Sequence, residues 1–345
     1  MKALVLHGIR DLRVDDLPEP EPGPGQVKVR VRTVGICGSD VHYYKHGRIG
    51  NQVVEAPLVV GHEGAGEIVE LGPGVEGLQV GRRVAVEPAR WCGTCEWCAA
   101  DKPNVCPGVE FRSTPPCDGL MCESVILEPR QCVSIPDSMT FEEAALLEPL
   151  QVAVHATNLI GLRRGETVTV VGAGTIGLAC METARVAGAE RIIVTDRLDY
   201  RLEFAKQRGA GAVVNAETDD PVETVMRLTD GRGTDVVFEC SNRAAGARQA
   251  CDVATVCGRV CLVGIPEEDE IVLDAHEYRR KELSVQYVRR SRHAAEQAIR
   301  LVTTGQLDVA RWVTHRVGLE GAPRAFEMVA DYADGVLKAM VVPGE

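Results

Sequence analysis

The chain's chemistry is concentrated in Gly35–Glu63, GICGSDVHYYKHGRIGNQVVEAPLVVGHE. A thiol (Cys37), a hydroxyl (Ser39), a carboxylate (Asp40), an imidazole (His42) and two phenols (Tyr43, Tyr44) crowd into its first part. A second imidazole and a carboxylate follow as the adjacent pair His62–Glu63. Cys sulfur, His nitrogen and Glu oxygen form a ligand set suited to a catalytic zinc, which keeps one position open for water or substrate.

Cys92, Cys95, Cys98 and Cys106 lie in WCGTCEWCAADKPNVC with the spacing C-x2-C-x2-C-x7-C. Four thiolates brought together by tight turns make a closed tetrahedral zinc site with no vacancy. Structural zinc binds with on the order of 10 kcal/mol or more, enough to fold a lobe with little core. An iron–sulfur cluster is the other occupant such spacing allows; nothing else in the chain points to one-electron chemistry, so zinc is favoured. A third signal, GAGTIG at Gly172–Gly177, follows the β-branched run ETVTVV and precedes a helical run. Gly172 permits the tight turn, Gly174 lets the backbone approach a pyrophosphate, and Gly177 lets helix and strand pack closely. Unpaired N–H groups of the helix start would hold the phosphates. Asp196, 24 positions past Gly172, would accept ribose hydroxyls and repel a 2′-phosphate, which favours NAD over NADP. Arg197 and Arg201 point the other way, since an arginine there accommodates that phosphate.

These residues need elements to position them. Residues 1–90 alternate in short runs (Lys2–Leu6, Gln26–Val34, Gly66–Leu71, Arg82–Val86) separated by turns such as PEPEPGPG. This predicts an antiparallel β-rich domain with the metal site on its loops. Thr140 with Glu143 is a capping box for a helix over Thr140–Leu147. That helix ends in LLEPL, so Glu148 is a carboxylate in an apolar helix-end setting, either desolvated at a cost or joined to the metal. From Gln151 onward, apolar strands alternate with helices, which indicates an α/β domain with a parallel sheet covered on both faces. After Val288, two helices and two strands are too few for a domain and return to the first one. The expected domains are therefore 1–150 with 289–345, carrying a cysteine lobe near 88–107, and 151–288.

The chain has 345 residues, 45% hydrophobic, enough for two domains. Its net charge of −12 gives no electrostatic case for nucleic acid or an anionic membrane surface, and no apolar run is long enough to span a bilayer. Thirteen cysteines without a secretion signal argue for a reducing, cytoplasmic setting.

The whole chain resembles the zinc-dependent medium-chain dehydrogenases. GICGSDVHYYKHGRIG…VVGHE, LLEPLQVAVH and VGAGTIGL resemble the polyol branch, the sorbitol and xylitol dehydrogenases. The resemblance implies a β-rich GroES-like catalytic domain plus a Rossmann domain, a doubly wound parallel sheet. It implies a catalytic zinc near Cys37, His62 and Glu63, with Glu148 as a further or alternating ligand, and a structural zinc on the four-cysteine lobe. NAD as cofactor and a dimer or tetramer are also implied. Tyr43, Phe111 and Thr114 fall where sorbitol enzymes line the substrate pocket, together with Glu148 and Arg290. Ile176, Asp196, Arg201, Val263, Gly264, Ile265, Val288 and Arg290 fall on the cofactor side. Where sorbitol enzymes tend to carry Phe-Arg-Tyr, this chain has Arg289-Arg290-Ser291. The missing aromatic leaves room for a larger or cyclic substrate.

The implied reaction is oxidation of a secondary hydroxyl of a polyol or sugar with hydride transfer to NAD. Ser39 is placed to take the alcohol proton and His42 to pass it to solvent. Asp40 is the natural partner for the ring N–H of His62. Other alcohols, including an inositol and threonine, fit the same chemistry. A non-catalytic redox sensor would need neither Glu63 nor the Ser39–His42 relay.

Overall fold

The computed structural model describes residues 1–344. Contacts divide them into two compact units: Met1–Glu148 with Ala298–Glu345, and Pro149–Gln297.

The first unit is built on a seven-stranded sheet. Strand Val27–Gly35 lies at its centre and pairs antiparallel with Glu63–Leu71, Ser124–Leu127 and Lys338–Val342. Arg83–Val86 and Cys132–Ser134 extend one side, and Val313–Gly318 lies parallel to Lys338–Val342 on the other. Alternation sets the faces. In Val27–Gly35 the residues Val27, Val29 and Val31 point into a core with Ile68, Val84, Leu127 and Phe326, while Arg30 and Arg32 are exposed. The chain's last strand thus packs beside the strand that ends two residues before Cys37.

The second unit holds a six-stranded, wholly parallel sheet. Its order is Ala212–Asn215, Arg191–Asp196, Thr167–Val171, Thr234–Glu239, Ala254–Leu262, Ser284–Tyr287. The four inner strands are largely buried on both faces, which explains their unbroken apolar runs. The order reverses direction beside Thr167–Val171, and the Gly-rich turn leaves that strand, where ligands bind in such sheets.

Three expectations need correction. Residues after Cys37 form a helix, Gly38–His46, rather than a loop. Gly, Ser and Asp at its start are weak helix formers and hid it, but Lys45 and His46 in its last turn and Gly47 at φ +67 are ordinary C-terminal signals. Glu148 does not end a helix. The capped helix is short, Phe141–Ala145, and a second, Leu147–Ile160, begins at once. Glu148 sits in its first turn, where Pro149 is tolerated because that N–H has no intrahelical partner. The return crossing falls after Gln297, not at 288/289. Past the last sheet strand the chain stays attached to the second unit: Val288 N–H donates to the Leu262 carbonyl (2.9 Å), and Asn158 Nδ2 to Gln297 Oε1 (3.1 Å).

Gly177 is held at glycine by its neighbour, since any Cβ there would collide with the Gly172 carbonyl oxygen. Gly177→Ala should therefore lower the unfolding free energy by about 1–3 kcal/mol. Chemical denaturation checks this, and an unchanged midpoint would contradict the packing.

Candidate metal centre and dinucleotide loop

Two strand ends and a helix start build the first site. Cys37 is the N-cap residue of helix Gly38–His46, at the end whose first N–H groups have no intrahelical partner. His62 and Glu63 lie where strand Glu63–Leu71 begins, and Glu63 pairs in register with Gly35. One ligand atom each from Cys37, His62 and Glu63 lies within 4.8 Å of the others. A sulfur, a nitrogen and an oxygen in one cluster, with His62 and Glu63 buried, fit zinc with a coordination position left over.

Asp40 fastens this set. It is fully buried. Its Oδ2 accepts the Cys37 N–H (3.2 Å), and its Oδ1 accepts the Ser113 hydroxyl (2.6 Å) and the Gly61 N–H (3.2 Å). His62 Nδ1 lies 3.4 Å from Oδ1, which leaves the other ring nitrogen available to a metal. Burial favours the neutral acid, but His62, Ser113 and the Cys37 amide outweigh it and hold Asp40 below the usual carboxylate range. Burial likewise opposes charge on His62, and Asp40 and Cys37 overcome it and raise the imidazole well above its ordinary value. A metal ion would replace that ring proton.

Ser39 donates to Cys37 Sγ (3.3 Å). His42 is buried on the helix rather than solvated in a loop, and its ring meets that of exposed His46 edge-on at 5.7 Å. Tyr43 is buried among the core side chains. Phe111 is half-buried with its ring centroid 5.3 Å from that of His62, and Thr114 bridges to Cys117 in the same turn. Glu148 is outside the cluster of three ligands, but it shares their field. Burial first, then Glu63 and Glu87, push its carboxyl up to about 7 against the pull of His62 and Lys338.

Sequence reasoning missed two residues. Ser113, buried at φ +60 between Phe111 and Thr114, ties that turn to Asp40. Lys338, from the last strand, donates to Glu63 Oε2 at 2.6 Å. Neither follows from local spacing, because the pairing partners are distant in the chain; an isolated lysine opening an apolar strand was the one available signal for the second.

The cysteine lobe passes a geometric test. Sulfur–sulfur distances are 4.0 Å (Cys92–Cys98), 3.5 Å (Cys95–Cys98), 3.7 Å (Cys95–Cys106) and 3.5 Å (Cys92–Cys106). A tetrahedron with metal–sulfur bonds near 2.3 Å has edges of about 3.8 Å. The backbone N–H groups of Thr94 and Cys95 hold the Cys92 thiol down to about 6. All thirteen cysteines are free thiols.

On the second unit, Gly172 adopts φ +93, and a Cβ at Gly174 would find nothing closer than an Arg201 guanidinium nitrogen at 3.7 Å. The loop is thus closed on the sheet side and open on the other, as close approach of a pyrophosphate requires. Asp196 Oδ2 accepts the Ala173 N–H (2.6 Å) and its Oδ1 accepts the Leu198 N–H (2.9 Å). Ile176 is half-buried in the first turn of helix Thr175–Ala187. The Val263 and Gly264 N–H groups both donate to the Glu239 carbonyl (2.9 Å each), Ile265 is exposed, and Arg290 adopts φ +54.

Residues 23–137 match the alcohol dehydrogenase GroES-like domain and residues 175–304 the zinc-binding dehydrogenase domain. Sorbitol dehydrogenase of Bacillus subtilis is 38% identical over 99% of this chain and 97% of its own length. The probable D-xylulose reductase A of Arthroderma otae is 39% identical over 95% and 93%. A putative zinc-binding dehydrogenase of Sinorhizobium meliloti, solved bound to NADP, superposes with a TM-score of 0.91 at 30% identity, covering 99% of both chains. With a mixed-donor cluster on one unit and a nucleotide loop on the other, the chain belongs to the zinc-dependent medium-chain dehydrogenase family.

Proposed function

We propose that the protein oxidises a secondary hydroxyl of a polyol or sugar to the ketone, passing hydride to NAD. The observation that carries this reading is the Cys37–His62–Glu63 cluster, whose sulfur, nitrogen and oxygen lie within 4.8 Å of one another. When bound, zinc supplies Lewis acidity to the substrate hydroxyl and the nicotinamide supplies the hydride acceptor. The chain's own residues do the rest. Asp40 fixes the tautomer and orientation of His62. Ser39 takes the alcohol proton, and His42 hands it toward His46, whose exposure gives the relay an exit that His42 lacks. Phe111, Thr114 and Tyr43 line the polyol side with Glu148. Glu148, whose carboxyl is pushed up to about 7, serves as an alternating ligand in its ionised form. The unit Met1–Glu148 with Ala298–Glu345 is the catalytic domain, and the parallel-sheet unit binds the dinucleotide.

The four-cysteine lobe holds a second, structural zinc, and its near-tetrahedral sulfur spacing supports that count. Asp196, at the end of the second sheet strand, supports NAD over NADP. Free thiols throughout support a reducing, cytoplasmic setting. Among the described residues no helix is long and apolar enough to cross a membrane. The strand Ser284–Tyr287 ends the sheet with Val285 and Tyr287 exposed, and this edge, open to pairing with a second copy, supports a homodimer or a tetramer built from it.

Wild-type protein should carry two zinc ions per chain, and Cys37→Ser about one. The variant should lose about a thousandfold or more in kcat, the several kcal/mol of Lewis-acid stabilisation, while still binding NAD; retained turnover on a polyol panel would refute the reading. Asp196→Ala should cut the preference for NAD over NADP about tenfold, one charge-assisted hydrogen bond, in paired kcat/KM measurements. Val285→Lys with Tyr287→Lys should shift the mass in light scattering to the monomer, and an unchanged mass would rule out this edge.

A further inference from the structure

Lys338 is a buried ammonium group pressed against the metal-ligand cluster. It is 3% exposed. Its Nζ donates to Glu63 Oε2 at 2.6 Å and to the Ile36 carbonyl at 3.0 Å. The sheet builds this pair. Strand Val27–Gly35 lies between Glu63–Leu71 and Lys338–Val342, with Gly35 opposite Glu63 on one side and Met340 on the other. A Cβ on Gly35 would collide with the Glu63 carboxylate, so the two side chains meet over a strand end left bare by glycine.

Folding alone does not require the pair. Burying an ammonium costs free energy that a paired carboxylate roughly offsets, and apolar residues of similar volume commonly do as well or better. The pair is instead joined to the ligand set, because Glu63 lies in one cluster with Cys37 and His62. A carboxylate has two oxygens, and Lys338 engages Oε2.

We infer that Lys338 is a positioning residue: it grips one oxygen of Glu63, leaves a single oxygen for the metal, and weakens that oxygen as a donor. A metal held by a weakened carboxylate keeps more acidity for the substrate. Partners of metal ligands tune affinity in this way, typically tenfold to a hundredfold. The inference rests on reading Cys37, His62 and Glu63 as ligands.

The test is zinc release from the full-length protein to a chelator, with the four-cysteine lobe as internal reference. In Lys338→Met, Glu63 is freed to bind more strongly, and zinc should leave the Cys37 site about tenfold more slowly. In Lys338→Arg, a guanidinium fork takes both oxygens, and zinc should leave about tenfold faster. Cobalt(II) placed in the same site should show visible bands displaced in opposite directions. Opposite shifts with unchanged lobe release support the inference. Shifts of the same sign, or none, overturn it. Should Lys338→Met fail to fold, Lys338→Arg decides alone: faster release from this site only supports the inference, and slower or equal release overturns it. Wild-type protein holding only the lobe zinc would overturn the ligand reading itself, and this inference with it.

Discussion

A single carboxylate, Asp40, fully enclosed by protein, is the constraint on which the first site depends. An isolated buried charge would take up a proton rather than persist. This one persists because four donors converge on it from three separate segments: the Cys37 amide, the Gly61 amide, the Ser113 hydroxyl and the His62 ring. The same bonds that keep Asp40 charged also fix where Cys37 and His62 lie. Electrostatic satisfaction and ligand geometry are therefore one requirement, met once. Charge balance follows. With zinc present, the two metal charges and Lys338 offset Cys37, Glu63 and Asp40, and a fourth anion at Glu148 would be in excess. At Glu148 itself, burial first and then Glu63 and Glu87 push the carboxyl up to about 7 against the pull of His62 and Lys338.

The second unit offers an anion backbone donors in place of a cationic side chain. A phosphate needs donors that do not move, and backbone N–H groups at a helix start supply them. Their aim is set by Gly172, left-handed at φ +93, and by Gly177, which lets helix Thr175–Ala187 come up against the turn. Asp196 adds a tie from the neighbouring strand to the Ala173 amide. The cysteine lobe follows the same logic in small compass: the amides of Thr94 and Cys95 point at the Cys92 sulfur, favouring the thiolate a metal needs.

How much was legible in the sequence follows from how local each feature is. The four cysteines, the glycine loop and the adjacent His62–Glu63 carry their geometry within a few residues. Sheet strands could be read from alternation or from unbroken β-branched runs, since burial on one face or two writes those patterns directly. Helix Gly38–His46 was hidden because its buried residues, Asp40, Val41, His42, Tyr43 and Tyr44, run consecutively and mix polar with apolar groups instead of forming a spaced apolar stripe. Glu148 was misassigned to a helix end because Pro149 reads as a terminator, although proline is equally at home in a first turn. Ser113 and Lys338 were out of reach: each meets its partner across a long stretch of chain, Ser113 reaching from its turn to Asp40 in helix Gly38–His46 and Lys338 meeting Glu63 over Gly35 in the sheet.

X-ray absorption at the zinc edge tests the central claim most directly, because it reads the ligand atoms themselves. The account predicts an average of two different sites: sulfur near 2.3 Å from the four-cysteine lobe and Cys37, and a shell of lighter atoms near 2.0–2.1 Å from His62, Glu63 and the open position. A spectrum fitted by four sulfurs alone would contradict it.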